Sequence, residues 1–381
     1  MESGFGRWRG SDSRPSNEPS HTIESEVSVK TYWRTSFLAL LSLLATVAYS
    51  AGGYRLLKRI PISGDGTWDY IGADSVNRRI YVSHGSQLEV LDADSGAIVG
   101  KILAPGVNPA DPSTLQGQGV RGAAIAPELG RGFTSNGRDS SMTIFDLKTL
   151  KVLGVVKVGE NPDGYLYDPA SRRAFTFSNR TKAATAVDGA AGTVAGNIDL
   201  GGKPEAAATD GKGLVYVNIQ DKNLVTKFDS RKLTVMASWP TAPCEEPTSM
   251  AIDAKNHRLF VGCRNKLLAV MNTENGKIIT TLPIGGNTDA AAFDPALRLV
   301  FTSNGEGTVT VIQEESPDKY SVLDNVKTEP GARTMALDLK RHKLFLCLAN
   351  RTPPPAPVAG QTAPPAQIIH DSFRVLVVGR E

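Results

Sequence analysis

One pattern recurs seven times along this chain. A short run of small apolar residues ends in Asp, a turn with a basic residue follows, and a β-branched and aromatic run stands seven residues on. Asp74 precedes Tyr81, Asp168 precedes Phe175, Asp253 precedes Phe260, Asp294 precedes Phe301 and Asp338 precedes Phe345. Asp210 and Tyr216 are one residue closer, and Ala126 with Phe133 keeps the spacing without the acid. Successive anchors at 74, 126, 168, 210, 253, 294 and 338 are 52, 42, 42, 43, 41 and 44 residues apart. A period of roughly 40–45 residues holding several short strands is the signature of a β-propeller. The expected fold is all-β: a seven-bladed β-propeller with four-stranded blades, spanning residues 51–381.

The turns between so many short strands account for 37 Gly and 23 Pro. Net charge is only +3 and no basic stripe is interleaved with aromatics, so nucleic acid is not an expected partner.

Residues 1–50 read as a leader outside the fold. Phe37 to Tyr49 is an uncharged apolar run of 13 residues. A bilayer-spanning helix needs about 20, whereas a signal-peptide core is about this length. Ala48-Tyr49-Ser50 puts small residues where a signal peptidase reads, so cleavage is expected before Ala51. No Cys stands nearby to carry a lipid anchor. The 36 residues ahead of the apolar run are long for a signal peptide, and an uncleaved N-terminal membrane anchor is the alternative. Either places the propeller in the periplasm or otherwise outside the cytoplasm.

Within the third repeat, Asp163–Asp168 reads as the inner strand, Arg173–Asn179 as the second, Ala184–Asp188 as the third and Thr193–Leu200 as the outer one. Period-two alternation in each run supports strands. The inner strands are rich in alanine, which lets seven of them approach one axis. The anchor Asp should make the inner turn by accepting backbone N–H groups. The opening run Tyr54–Ile62 matches an outer strand and the closing run Phe373–Gly379 a third strand. The N-terminal strand should therefore complete the seventh blade and close the ring, hiding two strand edges.

The second strands carry Tyr81-Val82-Ser83-His84, Phe133-Thr134-Ser135-Asn136, Tyr216-Val217-Asn218 and Phe301-Thr302-Ser303-Asn304, followed by V-x-V-x-D third strands. In these motifs the chain resembles the YVTN-repeat, YncE-like seven-bladed propeller family of bacterial exported proteins. The resemblance covers the chain from Tyr54 onward. It implies the fold and an extracytoplasmic setting, and brings no catalytic motif with it.

In such a ring, the loops entering the inner strands and the ends of the second strands lie on one face. Five residues before the anchors stand Asp69, Arg121, Asp163, Glu205, Thr248, Asp289 and Arg333; at the second-strand ends stand His84, Asn136, Asn179, Asn218, Cys263 and Asn304. Both sets are expected to meet at the channel mouth as solvent-exposed side chains. The arginines there suit an anionic ligand, while the acid and amide oxygens suit a divalent cation such as calcium. A solvated rim whose charges pair with one another is the plain structural reading. Cys244 enters blade five and Cys263 ends its second strand, which in an oxidising compartment suggests a disulfide. Cys347 should be free and buried. Two segments, Ala104–Val120 and the proline-rich Asn350–Ser372, leave on the mouth face.

No G-x-S-x-G, H-E-x-x-H, Walker loop or haem C-x-x-C-H occurs. The leading expectation is an exported binding protein that takes a small molecule or protein partner at its mouth. The alternative is a hydrolase resembling the gluconolactonase propellers, with a metal held by Asp69, Glu205, Asp289, Asn179 and Asn304 polarising a lactone carbonyl. Those propellers have six blades, a departure from the seven repeats here.

Overall fold

The inner turns explain why the repeat exists. In the computed structural model, which describes residues 53–108, 110, 111, 114, 119–353 and 366–381, six of the seven anchors are acids that accept backbone N–H groups two to four residues on. Asp74 holds Val76 and Asn77, Asp253 holds Lys255 and Asn256, and Asp294 holds Ala296 and Leu297. Asp168, Asp210 and Asp338 do the same. The residue just before each second strand then takes a positive φ: Arg78, Gly130, Arg172, Gly213, His257, Arg298 and His342. The carboxylate satisfies the turn's donors and so stabilises this otherwise unfavourable backbone. Blade two, with Ala126 at the anchor, uses a 3-10 turn over Pro127–Leu129 and a left-handed Gly130 instead.

These turns connect seven separate four-stranded antiparallel sheets. Blade three runs Pro162–Asp168, Arg173–Ser178, Ala183–Asp188 and Val194–Asp199, within a residue or two of the sequence reading. The second-strand aromatics Tyr81, Phe133, Phe175, Tyr216, Phe260, Phe301 and Phe345 are all 2% exposed or less. They pack across the seams, as Phe133 does on Tyr167 and Phe175 on Phe228.

The basic residue of the repeat is a seam tie. Arg79 of blade one donates to the Leu147 carbonyl of blade two, Arg131 to Gly189 at 2.8 Å, Arg173 to Ser230 and Arg231 at 2.8 Å, and Arg258 to Pro317 at 2.8 Å. Each reaches the turn between third and outer strands of the next blade. Blade four has Leu214 at this position, and there Lys227 and Tyr216 reach the Thr273 carbonyl. Between blades six and seven, His342 Nδ1 lies 2.6 Å from Asp294.

Blade seven is built from both ends of the propeller. Its inner, second and third strands are Met335–Asp338, Lys343–Leu348 and Arg374–Gly379, and the N-terminal Arg55–Pro61 is its outer strand. Arg55 stands opposite Gly379 and Pro61 opposite Arg374. The closing seam also has its own tie, where Arg78 bridges Asp338 at 2.7 Å and Asp94 at 2.8 Å. The leader expected over residues 1–50 lies outside the described residues, as does the stretch 354–365 of the proline-rich segment. Among the described residues, no helix is long and apolar enough to cross a membrane.

Deleting residues 54–62 removes the outer strand of blade seven and exposes the edge of Arg374–Gly379. The variant should lose the single cooperative unfolding transition seen by circular dichroism. A truncated chain melting at the wild-type midpoint would show that the ring does not depend on this strand.

Candidate functional site

Six charged side chains meet at the mouth, four of them where the inner strands bulge. In blades two to six the ladder between inner and second strands shifts register around Arg121, Asp163, Glu205, Thr248 and Asp289. A bulge leaves one residue unpaired and re-aims its side chain. Five of the seven ring positions are linked by direct ion pairs. Arg121 Nη1 lies 2.6 Å from Asp69 and its Nε 3.7 Å from Asp163, while Arg333 Nε lies 3.2 Å from Asp289. Going round from blade six, the order is Asp289, Arg333, Asp69, Arg121, Asp163: minus, plus, minus, plus, minus.

The alternation stops at blades four and five. Glu205 follows Asp163 with no ion pair or hydrogen bond among the described residues. Thr248 occupies the next position and turns away, donating to the Thr288 carbonyl at 2.7 Å. The ring thus has two carboxyl groups, Glu205 and Asp289, flanking a position without charge. Burial pushes the Glu205 carboxyl up to about 8, with Asp163, Asp289 and Asp69 adding to the effect. Burial also raises Asp289 against the pull of Arg333, and raises Asp69 together with Asp163 against Arg121. Both arginines are held more firmly charged than usual, since their carboxylates outweigh burial.

Below the ring lies a second layer that the sequence reading did not identify. Two residues past each ring position stand Ile71, Ala123, Tyr165, Ala207, Met250, Ala291 and Met335. Large and small side chains alternate for six of these, the signal being simply the period of two continued from the ring. Tyr165 fits because Gly122 has no side chain: a Cβ there would fall 2.2 Å from its ring. Tyr70 meets Tyr165 edge-to-face at 5.6 Å. With Glu205 and Asp289, all of these side chains but Ala123 line a cavity of about 210 Å³.

The second-strand ends behave differently. Only Asn179 reaches the ring, donating to Asp163 at 3.2 Å. Asn136 donates to Ser141 and Thr143, and Asn304 to Thr308 and Thr310, so both are bonded within their own blades. Asn218 donates to the Ser249 carbonyl. His84 is 3% exposed and stacks on Phe373 at 4.3 Å, with Glu89 3.6 Å from its Nδ1. The expectation that both sets meet at the mouth is therefore corrected: strand-end side chains are taken up by neighbouring hydroxyls, carbonyls and rings. Four of the mouth side chains are also less exposed than expected, at 12% for Arg121, 13% for Asp69, 14% for Asp289 and 21% for Asp163, while Arg333 is 44% exposed. Cys263 is joined to Cys244 by a disulfide with a Cα separation of 5.6 Å, and Cys347 is free and buried.

Among the described residues no group of three or more His, Cys, Asp or Glu side chains is placed to hold a metal ion. Within the donor pool, Asp69 and Asp289 pair with arginines, Asn179 donates to Asp163 and Asn304 is bonded within blade six, while Glu205 is unpaired among the described residues. The described ends of the proline-rich segment lie against the loop entering blade one, where His370 pairs with Asp65 at 2.7 Å and Arg351 covers Trp68 at 5.1 Å.

A raised carboxyl makes stability fall as pH rises, because the folded state alone bears the cost of ionising it. The Glu205 contribution is fully present below its ordinary value near 4.5 and is lost through about 8. Replacing it by Gln removes that cost. Glu205→Gln should match wild type near pH 5 and exceed it by on the order of 2 kcal/mol near pH 9 in denaturant titrations. Parallel pH profiles would contradict a buried, unpaired Glu205.

Comparison with models of known protein families and with curated proteins finds no match for this chain. The reading of the mouth accordingly stands on its geometry.

Proposed function

We propose that this chain is an exported propeller of the YVTN-repeat, YncE-like kind that acts by binding a small ligand in its channel mouth. The observation that carries the reading is the lined cavity beneath an incomplete ring of charge. Binding sites are concave and largely apolar with a few convergent polar groups, and this cavity has an apolar floor of Ile71, Met250, Met335 and alanines under Glu205 and Asp289. Export is supported by the uncharged run Phe37–Tyr49 and by a disulfide, which persists in oxidising compartments. A lactonase mechanism draws less support. Asp69 and Asp289 are already paired with arginines and Asn304 is bonded within blade six.

Filling the cavity separates binding from a passive rim. Expressed with its own leader, the chain should be recovered from the periplasm, and a small-molecule library should give compounds that raise its melting temperature. A ligand at roughly 100 times its Kd stabilises by about 2.7 kcal/mol. In the double variant Ala207→Leu/Ala291→Leu, which fills the floor, those compounds should lose their effect. Compounds that stabilise both proteins equally would place binding elsewhere.

A further inference from the structure

The ring is complete in charge except at one place, and that place describes its ligand. Three of the four mouth carboxylates have a guanidinium: Asp69 and Asp163 share Arg121, and Asp289 has Arg333. Glu205 has none. The position that would supply the next cation belongs to Thr248, whose hydroxyl is committed to the Thr288 carbonyl. Arg264 stands close enough to act on both Glu205 and Asp289 through its charge, but it is half exposed and pairs with Glu246 at 3.5 Å. Tyr70 of blade one and Tyr165 of blade three line the same cavity as Glu205 and Asp289.

Resting on the mouth-binding reading above, we propose that the ligand is a small organic monocation, a primary amine with a short apolar tail. Its ammonium sits between Glu205 and Asp289 at the position where blade five offers no charge, and its tail points down among Ala207, Met250 and Ala291.

Each alternative class fits less well. An anion needs free guanidinium donors; Arg121 is shared by Asp69 and Asp163, and Arg333 faces Asp289 through its Nε, so an anion entering here also meets the carboxylates of the ring. A divalent ion such as calcium takes six to eight oxygens, whereas the two carboxyls at the gap have no third acid or His grouped with them. An ammonium needs fewer: three N–H donors match two carboxyls and one further acceptor, and tyrosine faces attract a cation within about 6 Å. The cavity, about 210 Å³, is below the range of roughly 300–1,000 Å³ that suits drug-sized ligands. The tail is therefore short. Because Glu205 holds its proton at neutral pH, entry of the ammonium displaces that proton to solvent and leaves an ammonium–carboxylate pair. Binding then tightens as pH rises toward 8.

Isothermal titration at about pH 7 with n-butylamine hydrochloride, sodium butyrate and n-butanol tests the class, since all three have four carbons and differ in head group. The amine should bind wild type, release a proton detectable as a buffer-dependent heat, and bind at least tenfold more weakly to Glu205→Gln. That variant replaces a neutral carboxylic acid by a neutral amide of similar shape and should keep the fold, checked by its melting curve. Equal amine affinity in wild type and Glu205→Gln overturns the proposal. So does binding of butyrate in place of the amine; if that binding is lost in Arg121→Ala/Arg333→Ala, the class is wrong while the mouth remains a binding site. If none of the three binds, the amine proposal fails, and the Ala207→Leu/Ala291→Leu comparison decides the fate of the mouth independently.

Discussion

Closure of the ring by a strand from the other end of the chain is the constraint on which the rest of this structure depends. Each blade is a small sheet that cannot bury its own faces and leans on two neighbours. Seven such sheets make a stable object only if the last meets the first. Pairing Arg55–Pro61 with Arg374–Gly379 does this and covers the edge of the third strand. The Arg78 bridge to Asp338 and Asp94 then fastens the seam where the chain has no covalent continuity between inner strands. Once the circle is closed, the inner strands have nowhere to go but the axis, and the ring residues must face one another.

That convergence would crowd like charges together without the order in which they come. Four carboxylates in a buried ring repel and lose hydration; two interposed arginines offset this for three of them. A buried ion pair is costly unless its geometry and hydrogen bonding are good, and here each arginine sits within ion-pairing distance of its carboxylates. The uncompensated Glu205 is best understood beside Thr248. A ring selected only for stability would place an apolar or amide group at 205. Retaining a carboxyl above an open cavity costs stability, a feature expected where a site is built for something that arrives later.

Much of the architecture was legible in the sequence because its causes are local. The Asp-to-aromatic spacing reports a turn whose carboxylate caps backbone donors and a ring that fills the next seam, so periodicity alone gives seven blades and even the clasp. The basic residue in each repeat was visible, but its role was not, since Arg131 and Arg173 reach carbonyls 57–59 residues away in the next blade. The six charged ring positions could be picked out by counting back from the anchor. Of the strand-end residues, Asn179 meets the ring, whereas Asn136, Asn218, Asn304 and His84 are taken up elsewhere. Whether such a side chain faces the axis or its own blade depends on hydroxyls such as Thr143 and Thr310 on an adjacent strand, and no count along the chain reveals that. The channel floor is hidden for a simpler reason: small residues on converging strands read as spacers, and nothing local marks the large residues that alternate with them at the same register.

In the binding proposed above, Glu205 is a neutral carboxylic acid that gives up its proton when a cation arrives. Isotope-edited infrared difference spectroscopy, wild type against Glu205→Gln, reads that directly. A protonated-acid carbonyl band belonging to Glu205 should be present at about pH 6.5, fade through about pH 8, and vanish at about pH 6.5 when n-butylammonium is added. A carboxylate signal for Glu205 throughout the range above about pH 5, unchanged by the amine, would contradict the account.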